Sequence, residues 1–351
     1  MLEVRTDESW GDSDPKGCIS CGNPAIVKGH PNALCYDCRQ KFIKFPLPLW
    51  IKLFGAGIIL IFLFSLYKIP KNIGIGIHLE KGKNALAQKK YLTAQRELQQ
   101  VVNKTRDHLE AEGDLLIASF YNQDFQTMTS TLKLVENKNV EDQDLYSRVN
   151  DVLKKSNDYY SDPAFDTIIQ AYGNDFTKIP DNILKRFVDS NPGSIYVVSG
   201  YANRLFSNTN EDKISDSLLQ GILEKKPDYY PALITIAGIK RHKNEFDASL
   251  KYLDRLLEIN KESVDAISSK SRTLLKMKRD KEALEVARAG FELDEKNTYA
   301  GCTLVLAYHF NNKPKEEAAL MNKMALAKDP ASIEILKYVK DIISGKEPFR
   351  N

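Results

Sequence analysis

The sequence predicts an all-α protein: a solenoid of helical hairpins, preceded by one membrane-crossing helix and a small cysteine-rich module at the N-terminus. Three observations carry this. Four of the five cysteines stand between residues 18 and 38, in two matched pairs. A long apolar run follows at 47–67. From about residue 80 onward, short amphipathic helical patterns recur at intervals close to 34 residues.

The first element is "CISCGNPAIVKGHPNALCYDC". Cys18 and Cys21 form one Cys-x-x-Cys pair and Cys35 and Cys38 the other. Two intervening residues let the chain turn and aim both sulfurs of a pair at one point. Gly22 follows Cys21 and can take the positive φ such a turn needs. Pro24, Gly29 and Pro31 between the pairs suit a small hairpin rather than a helix. A segment this short cannot bury enough core to fold alone, so metal binding would supply its folding free energy. The pattern resembles a zinc ribbon over residues 16–42. The resemblance implies a structural Zn2+ held by Cys18, Cys21, Cys35 and Cys38, with no open position for catalysis. Two competing readings stand beside it. The thiols could pair as disulfides or act as a redox dithiol, which suits one reactive pair better than two matched ones. His30 could replace a ligand, but four cysteines already fill a tetrahedral site. Residues 1–15, ahead of the module, read as disordered.

The next element is "LPLWIKLFGAGIILIFLFSLY", residues 47–67. Leu53 to Leu66 carries no charge. From Leu49 to Tyr67 a helix rising 1.5 Å per residue is about 28 Å long, close to the hydrocarbon thickness. Trp50 and Tyr67 flank it as interfacial aromatics do, and Lys52 can snorkel to the headgroups. Pro70 is expected beyond its end. No small-x-small cleavage pattern follows Leu66, so the segment reads as an uncleaved transmembrane anchor. Arg39, Lys41, Lys44 and Lys52 precede it and Lys68 and Lys71 follow it, a bias that puts the N-terminus in the cytoplasm. Four thiolates also suit a reducing compartment. The large C-terminal region is then expected on the opposite side. A Lys-, Asn- and Ile-rich chain with one anchor suits a bacterial inner membrane.

The C-terminal region shows a period. Pro192, Pro227, Lys261, Glu295 and Pro330 each follow a helical stretch, at steps of 35, 34, 34 and 35. Small residues fall at one matched place in the second helix of each pair (Ser249, Ala283, Ala318) and at another in the first (Ala202, Ala237, Ser271). Nearer the apolar run, Tyr91 and Phe125 stand 34 apart, where an aromatic ring would wedge between paired helices. Over about 80–345 this resembles a tetratricopeptide repeat (TPR) array, with repeats expected over 80–140 and 192–345. The intervening 141–191 is helical but irregular, broken by Pro163, Gly173 and Pro180. In the TPR pattern the first helix carries a tryptophan and a glycine; here Leu233 and Ala237 stand in those places. The final "SIEILKYVKDIIS" spaces Ile333, Leu336, Val339 and Ile343 along one face, as a capping helix would.

Composition narrows the function. The formal net charge is +3, and no polybasic arm advertises affinity for nucleic acid. No Gly-x-x-x-x-Gly-Lys loop, His-Glu-x-x-His or Gly-x-Ser-x-Gly is present, and the five histidines are scattered, so no enzyme is expected. "NIGIGIH" at 72–78 follows no strand and so makes no phosphate cradle. The resemblance implies a scaffold or adaptor that binds a protein or peptide partner in the groove lined by first helices. Small-molecule substrates are not expected. Asn203, Lys240 and Lys270 are the exposed polar candidates for partner binding. The alternative is a membrane-tethered regulator whose cysteine module binds nucleic acid through Lys28, Arg39, Lys41, Lys44, Tyr36 and Phe42.

Overall fold

A computed structural model describes residues 16–43, 48–105, 107–136, 138, 141–209, 212–326 and 329–350, with the side chains of 43, 66–72, 208 and 209 outside the description. The stretch 1–15, expected to be disordered, therefore lies outside the described residues. The chain divides into two compact units, Met1–Asn72 and Ile73–Asn351.

In the first unit, a cysteine-bearing loop leads into α1 (Tyr36–Ile43). The long helix α2 (Leu49–Ala87) starts there and its last part, from Ile73, belongs to the second unit. Over its first turns the helix presents apolar groups all round. Leu53, Phe54, Leu60, Ile61 and Phe62 are each more than 60% exposed, against the usual burial of such side chains. Among the described residues no helix is long and apolar enough to cross a membrane. Of the span expected at 47–67, side chains are described only as far as Ser65. Pro70 does not end the helix, which continues to Ala87. A proline removes one rung of the hydrogen-bond ladder, and here the helix runs on without it.

The second unit is all-α: helical hairpins stacked as a solenoid. The tail of α2 pairs with α3 (Tyr91–Lys104), and α4 (Leu109–Tyr121) with α5 (Phe125–Val135). An irregular stretch follows: α6 (Gln143–Ser156), α7 (Pro163–Ala171) and α8 (Asp181–Ser190), joined by 3-10 turns at Asn157–Tyr159 and Phe176–Lys178. Each breaker marks a boundary. Pro163 opens α7 behind the Asp162 cap, Gly173 follows α7 at φ +70°, and Pro180 caps α8. Regular pairs resume with α9 (Ile195–Thr209) and α10 (Asp212–Lys225), then α11 (Tyr230–His242) and α12 (Phe246–Ile259). Next come α13 (Val264–Lys276) with α14 (Asp280–Leu293), and α15 (Thr298–Phe310) with α16 (Pro314–Met324). The single helix α17 (Pro330–Ile343) closes the end. From α11 to α16 the hairpins start 34 residues apart, at Tyr230, Val264 and Thr298.

The turn inside five of the hairpins has one construction. Lys89, Gln123, Asn244, Lys278 and Asn312 are all left-handed, at φ of 59°, 61°, 62°, 60° and 54°. The next residue's N–H reaches back five residues, as from Lys90 to the Ala85 carbonyl and from Arg279 to Leu274. This is the Schellman stop, which satisfies carbonyls the helix end leaves bare.

The matched small residues meet where the two helices of a hairpin touch. Ser215 Oγ donates to the Ala202 carbonyl, Ser249 to Ala237 and Ser271 to Ala283, at 2.7, 2.8 and 2.8 Å. Ala318 does not join them, because it is exposed; the residue 34 beyond Ala283 is Glu317. Leu233 and Ala237 are fully buried. Tyr91 is buried and stacks on Tyr121, with centroids 4.5 Å apart. In α17 the buried face is Leu336, Val339 and Ile342, while Ile333 points outward at 52% exposure. The inner stripe thus keeps Leu336 and Val339 of the expected one, with Ser332 and Ile342 buried beside them.

One feature departs from a simple repeat array, in which each hairpin touches only its neighbours. The first two hairpins are bonded to the α12–α13 turn. Lys261 N–H donates to the Lys89 carbonyl at 3.0 Å. The nearly buried Glu262 carboxylate accepts from Thr93 N–H at 2.7 Å and from Thr93 Oγ1 at 2.8 Å. Asn260 Nδ2 donates to the Tyr121 carbonyl at 3.1 Å.

Candidate functional site

The cysteine cluster is assembled from two turns and one short helix. Gly22 N–H donates to the Cys18 carbonyl and Cys18 N–H to that of Asn23, both at 2.8 Å. This folds the first pair into a knuckle, with Gly22 at φ +75°. Ile19 N–H donates to Ala33, and a single antiparallel bridge joins Ile26 to Cys35. The hairpin expected between the pairs is therefore one bridge long. Pro24 and Pro31 lack the N–H groups that a longer ladder would need. Cys35 stands just before α1 and Cys38 lies in its first turn. Backbone N–H groups at a helix start favour thiolate.

The four sulfurs lie within 4.8 Å of one another, and Cys21 Sγ is 3.5 Å from Cys35 Sγ. A tetrahedral ion with bonds of about 2.3 Å sets its sulfurs about 3.8 Å apart, so the cluster fits one metal ion. Cys18 and Cys35 are buried. The backbone N–H of Cys35 first, then those of Ser20 and Cys21, hold the Cys18 thiol down at about 6, ready to ligate. The Asn23 backbone also favours thiolate at Cys21. The neighbouring thiols of Cys38, Cys35 and Cys18 outweigh it and push Cys21 up to about 12. Such crowding of like groups is what a shared cation relieves. All five cysteines are free thiols, and His30 stands outside the cluster.

The three polar candidates stand on successive first helices, and the structure separates them. Asn203 on α9 lines a concavity of about 750 Å³ with Phe125, Tyr159, Phe176, Tyr196, Tyr229 and Ile234. Lys240 on α11 is bonded to Asp216 at 2.8 Å and to Glu245 at 3.1 Å. The Asp216 carboxylate holds its ammonium above the usual value. Lys270 on α13 is bonded to Asp254 at 2.7 Å. Both lysines thus pair with carboxylates from second helices.

No protein-family model matches this chain, and no curated protein is significantly similar to it. Solved structures do resemble it. A tetratricopeptide repeat protein from Parabacteroides merdae has a TM-score of 0.40 at 12% identity, over 76% of this chain and 99% of that one. Yeast Tom70 has a TM-score of 0.35 at 16% identity, over 73% and 61%. Pseudomonas aeruginosa pilF has 0.31 at 8% identity, over 77% and 99%.

The sequence reading passed over Arg241, Arg272 and Tyr299, which gather on first helices of this chain. Arg272 is 7% exposed, and its guanidinium lies 4.3 Å from the Tyr299 ring centroid. One signal was available: Arg272 is flanked by Ser271, Thr273, Leu274 and Leu275, small or apolar neighbours beside which a long charged group is costly to bury.

Proposed function

We propose that the protein is a membrane-anchored adaptor that docks a protein or peptide partner on the inner face of its solenoid. The observation that carries this is the aromatic concavity between α9 and α11. Its lining of Tyr159, Phe176, Tyr196 and Tyr229, with Asn203 and Ser199 among them, offers apolar area with a few polar anchors. Rings of this kind supply contact area at low entropic cost, which suits protein recognition rather than catalysis. Anchoring rests on the exposed apolar surface of α2 from Leu49 to Leu63, which water would not tolerate at this size. The cysteine cluster takes a structural zinc ion, held by Cys18, Cys21, Cys35 and Cys38, and forms a second small docking module. The chain sits in a bacterial inner membrane with that module in the cytoplasm and the solenoid across the bilayer.

The test uses the full-length protein in cells. A photo-crosslinking residue replaces Thr235, which lines the concavity, or Glu285, which is exposed on α14. A discrete protein adduct from position 235 and none from 285 is the expected result. Equal adducts, or none from either, would sink the docking reading. A second reading has the module bind nucleic acid, and the exposed rings of Tyr36 and Phe42 favour it, at 66% and 70%. Salt-sensitive retention of single-stranded nucleic acid by the full-length protein would move the function there.

A further inference from the structure

Two arginines on neighbouring first helices each hold one buried guanidinium nitrogen without a hydrogen-bond partner among the described residues. Arg241 stands in the last turn of α11 and Arg272 in the middle of α13. Arg272 Nε donates to Thr303 Oγ1 at 2.9 Å. Arg272 Nη2 and Arg241 Nη1 are buried, and neither has a hydrogen-bond partner among the described residues. Burial holds Arg241 below its usual value; Tyr299 and Tyr338 oppose this, Tyr299 also through a side-chain hydrogen bond, and the Arg272 charge adds to it. Lys276 is lowered in the same way, by burial and then by Arg241. Burial would raise Tyr299, but Arg272 and then Arg241 outweigh it and lower it. Among the described residues neither Arg241 nor Arg272 is ion-paired to a carboxylate; Asp265 reaches the cluster only through Tyr299. The nearby acids are engaged elsewhere: Asp254 with Lys270, and Asp280 with Arg350.

Buried cations are normally paired, because desolvation exceeds what a ring face or one hydroxyl returns. A planar guanidinium fork with free N–H groups matches a carboxylate in two parallel bonds. We infer that Arg241 and Arg272 form a recognition pocket for a side-chain carboxylate on an acidic segment of the docked partner. Tyr338 on α17, whose charge bears on Arg241, is 42% exposed. The inference rests on the docking reading above and names the chemistry of what docks.

The experiment uses detergent-solubilised full-length protein, with labelled hexaglutamate as probe and hexaglutamine as control. The wild type is expected to bind hexaglutamate, more weakly as salt rises, and not hexaglutamine. The R241Q/R272Q double variant is expected to lose about tenfold or more of that affinity. Its Tm should equal or exceed the wild type's, since it sheds two unpaired buried charges. A fall in Tm would instead make the arginines struts of the core, and unchanged hexaglutamate binding would also overturn the inference. R241Q alone, changing the less buried of the two, repeats both measurements if the double variant does not fold. Should the double variant keep the position-235 adduct while hexaglutamate fails to bind the wild type, the arginine pocket falls and the docking reading stands. Loss of that adduct in the wild type itself would remove the docking reading.

Discussion

Asp124 precedes α5 and accepts from Thr127 N–H at 3.0 Å and from Gln95 Nε2 at 2.6 Å. Burial opposes its ionisation, but the Thr127 hydroxyl and N–H, Gln95 and the Gln126 N–H outweigh burial and hold the carboxyl below its usual value. A carboxylate lowered on folding adds stability above the unfolded pKa, near 3.9. That stability is lost as the pH falls through the lowered folded value. Asp124→Asn should therefore lower the urea midpoint at pH 7, with a smaller gap from wild type at pH 3. A gap that widens in acid would contradict this assignment. At the cysteines the consequence is stoichiometric. The purified chain should carry about one zinc ion, and Cys38→Ser should lose it, as metal analysis of the full-length protein would show. Retention of a full equivalent by that variant would mean the ion sits elsewhere. The clustering of the four thiols was legible because their spacing alone constrains it. Arg241 and Arg272 were not, because their pairing depends on which faces of two helices turn inward.

At the scale of the element, the hairpin turns show what the sequence hid. A left-handed stop usually announces itself by glycine, yet Lys89, Gln123, Asn244, Lys278 and Asn312 occupy these places. Lysine and asparagine in that conformation give no composition signal, so the 34-residue period had to be read from prolines and small residues instead. The strain is testable. Lys278→Val places a branched side chain at φ 60° and should cost about 1–2 kcal/mol, whereas Lys278→Gly should cost nothing measurable. Equal urea midpoints for the two variants would show that the turn relaxes. The small-residue contacts were legible from Ser249, Ala283, Ala237 and Ser271, because close helix approach tolerates little else. Ala318 misled, because it stands 35 rather than 34 positions beyond Ala283; the matched place is Glu317, which lies 3.2 Å from His309.

For the whole molecule, the contact between Thr93 and Glu262 changes how the array holds together. Lys90 provides no side-chain cap for α3, an absence visible in the sequence. What fills it was not visible, since Glu262 comes from a distant repeat and periodicity reports only on neighbours. Its carboxylate meets a free N–H at a helix start, where charge and dipole agree. Glu262→Ala should lower stability by about 1–3 kcal/mol. Hydrogen exchange should quicken in α3 far more than in α16. Uniform acceleration would mean that the clasp is not local. Thr93 and Glu262 are 169 positions apart. At about 5–20 residues per second, a ribosome takes roughly 8 to 34 seconds to make the second after the first. The opening hairpin thus emerges with its α3 end uncapped and waits for most of the chain to be synthesised. During that interval it depends on whatever holds nascent chains apart, and the clasp acts as a record that synthesis has passed the fourth regular hairpin.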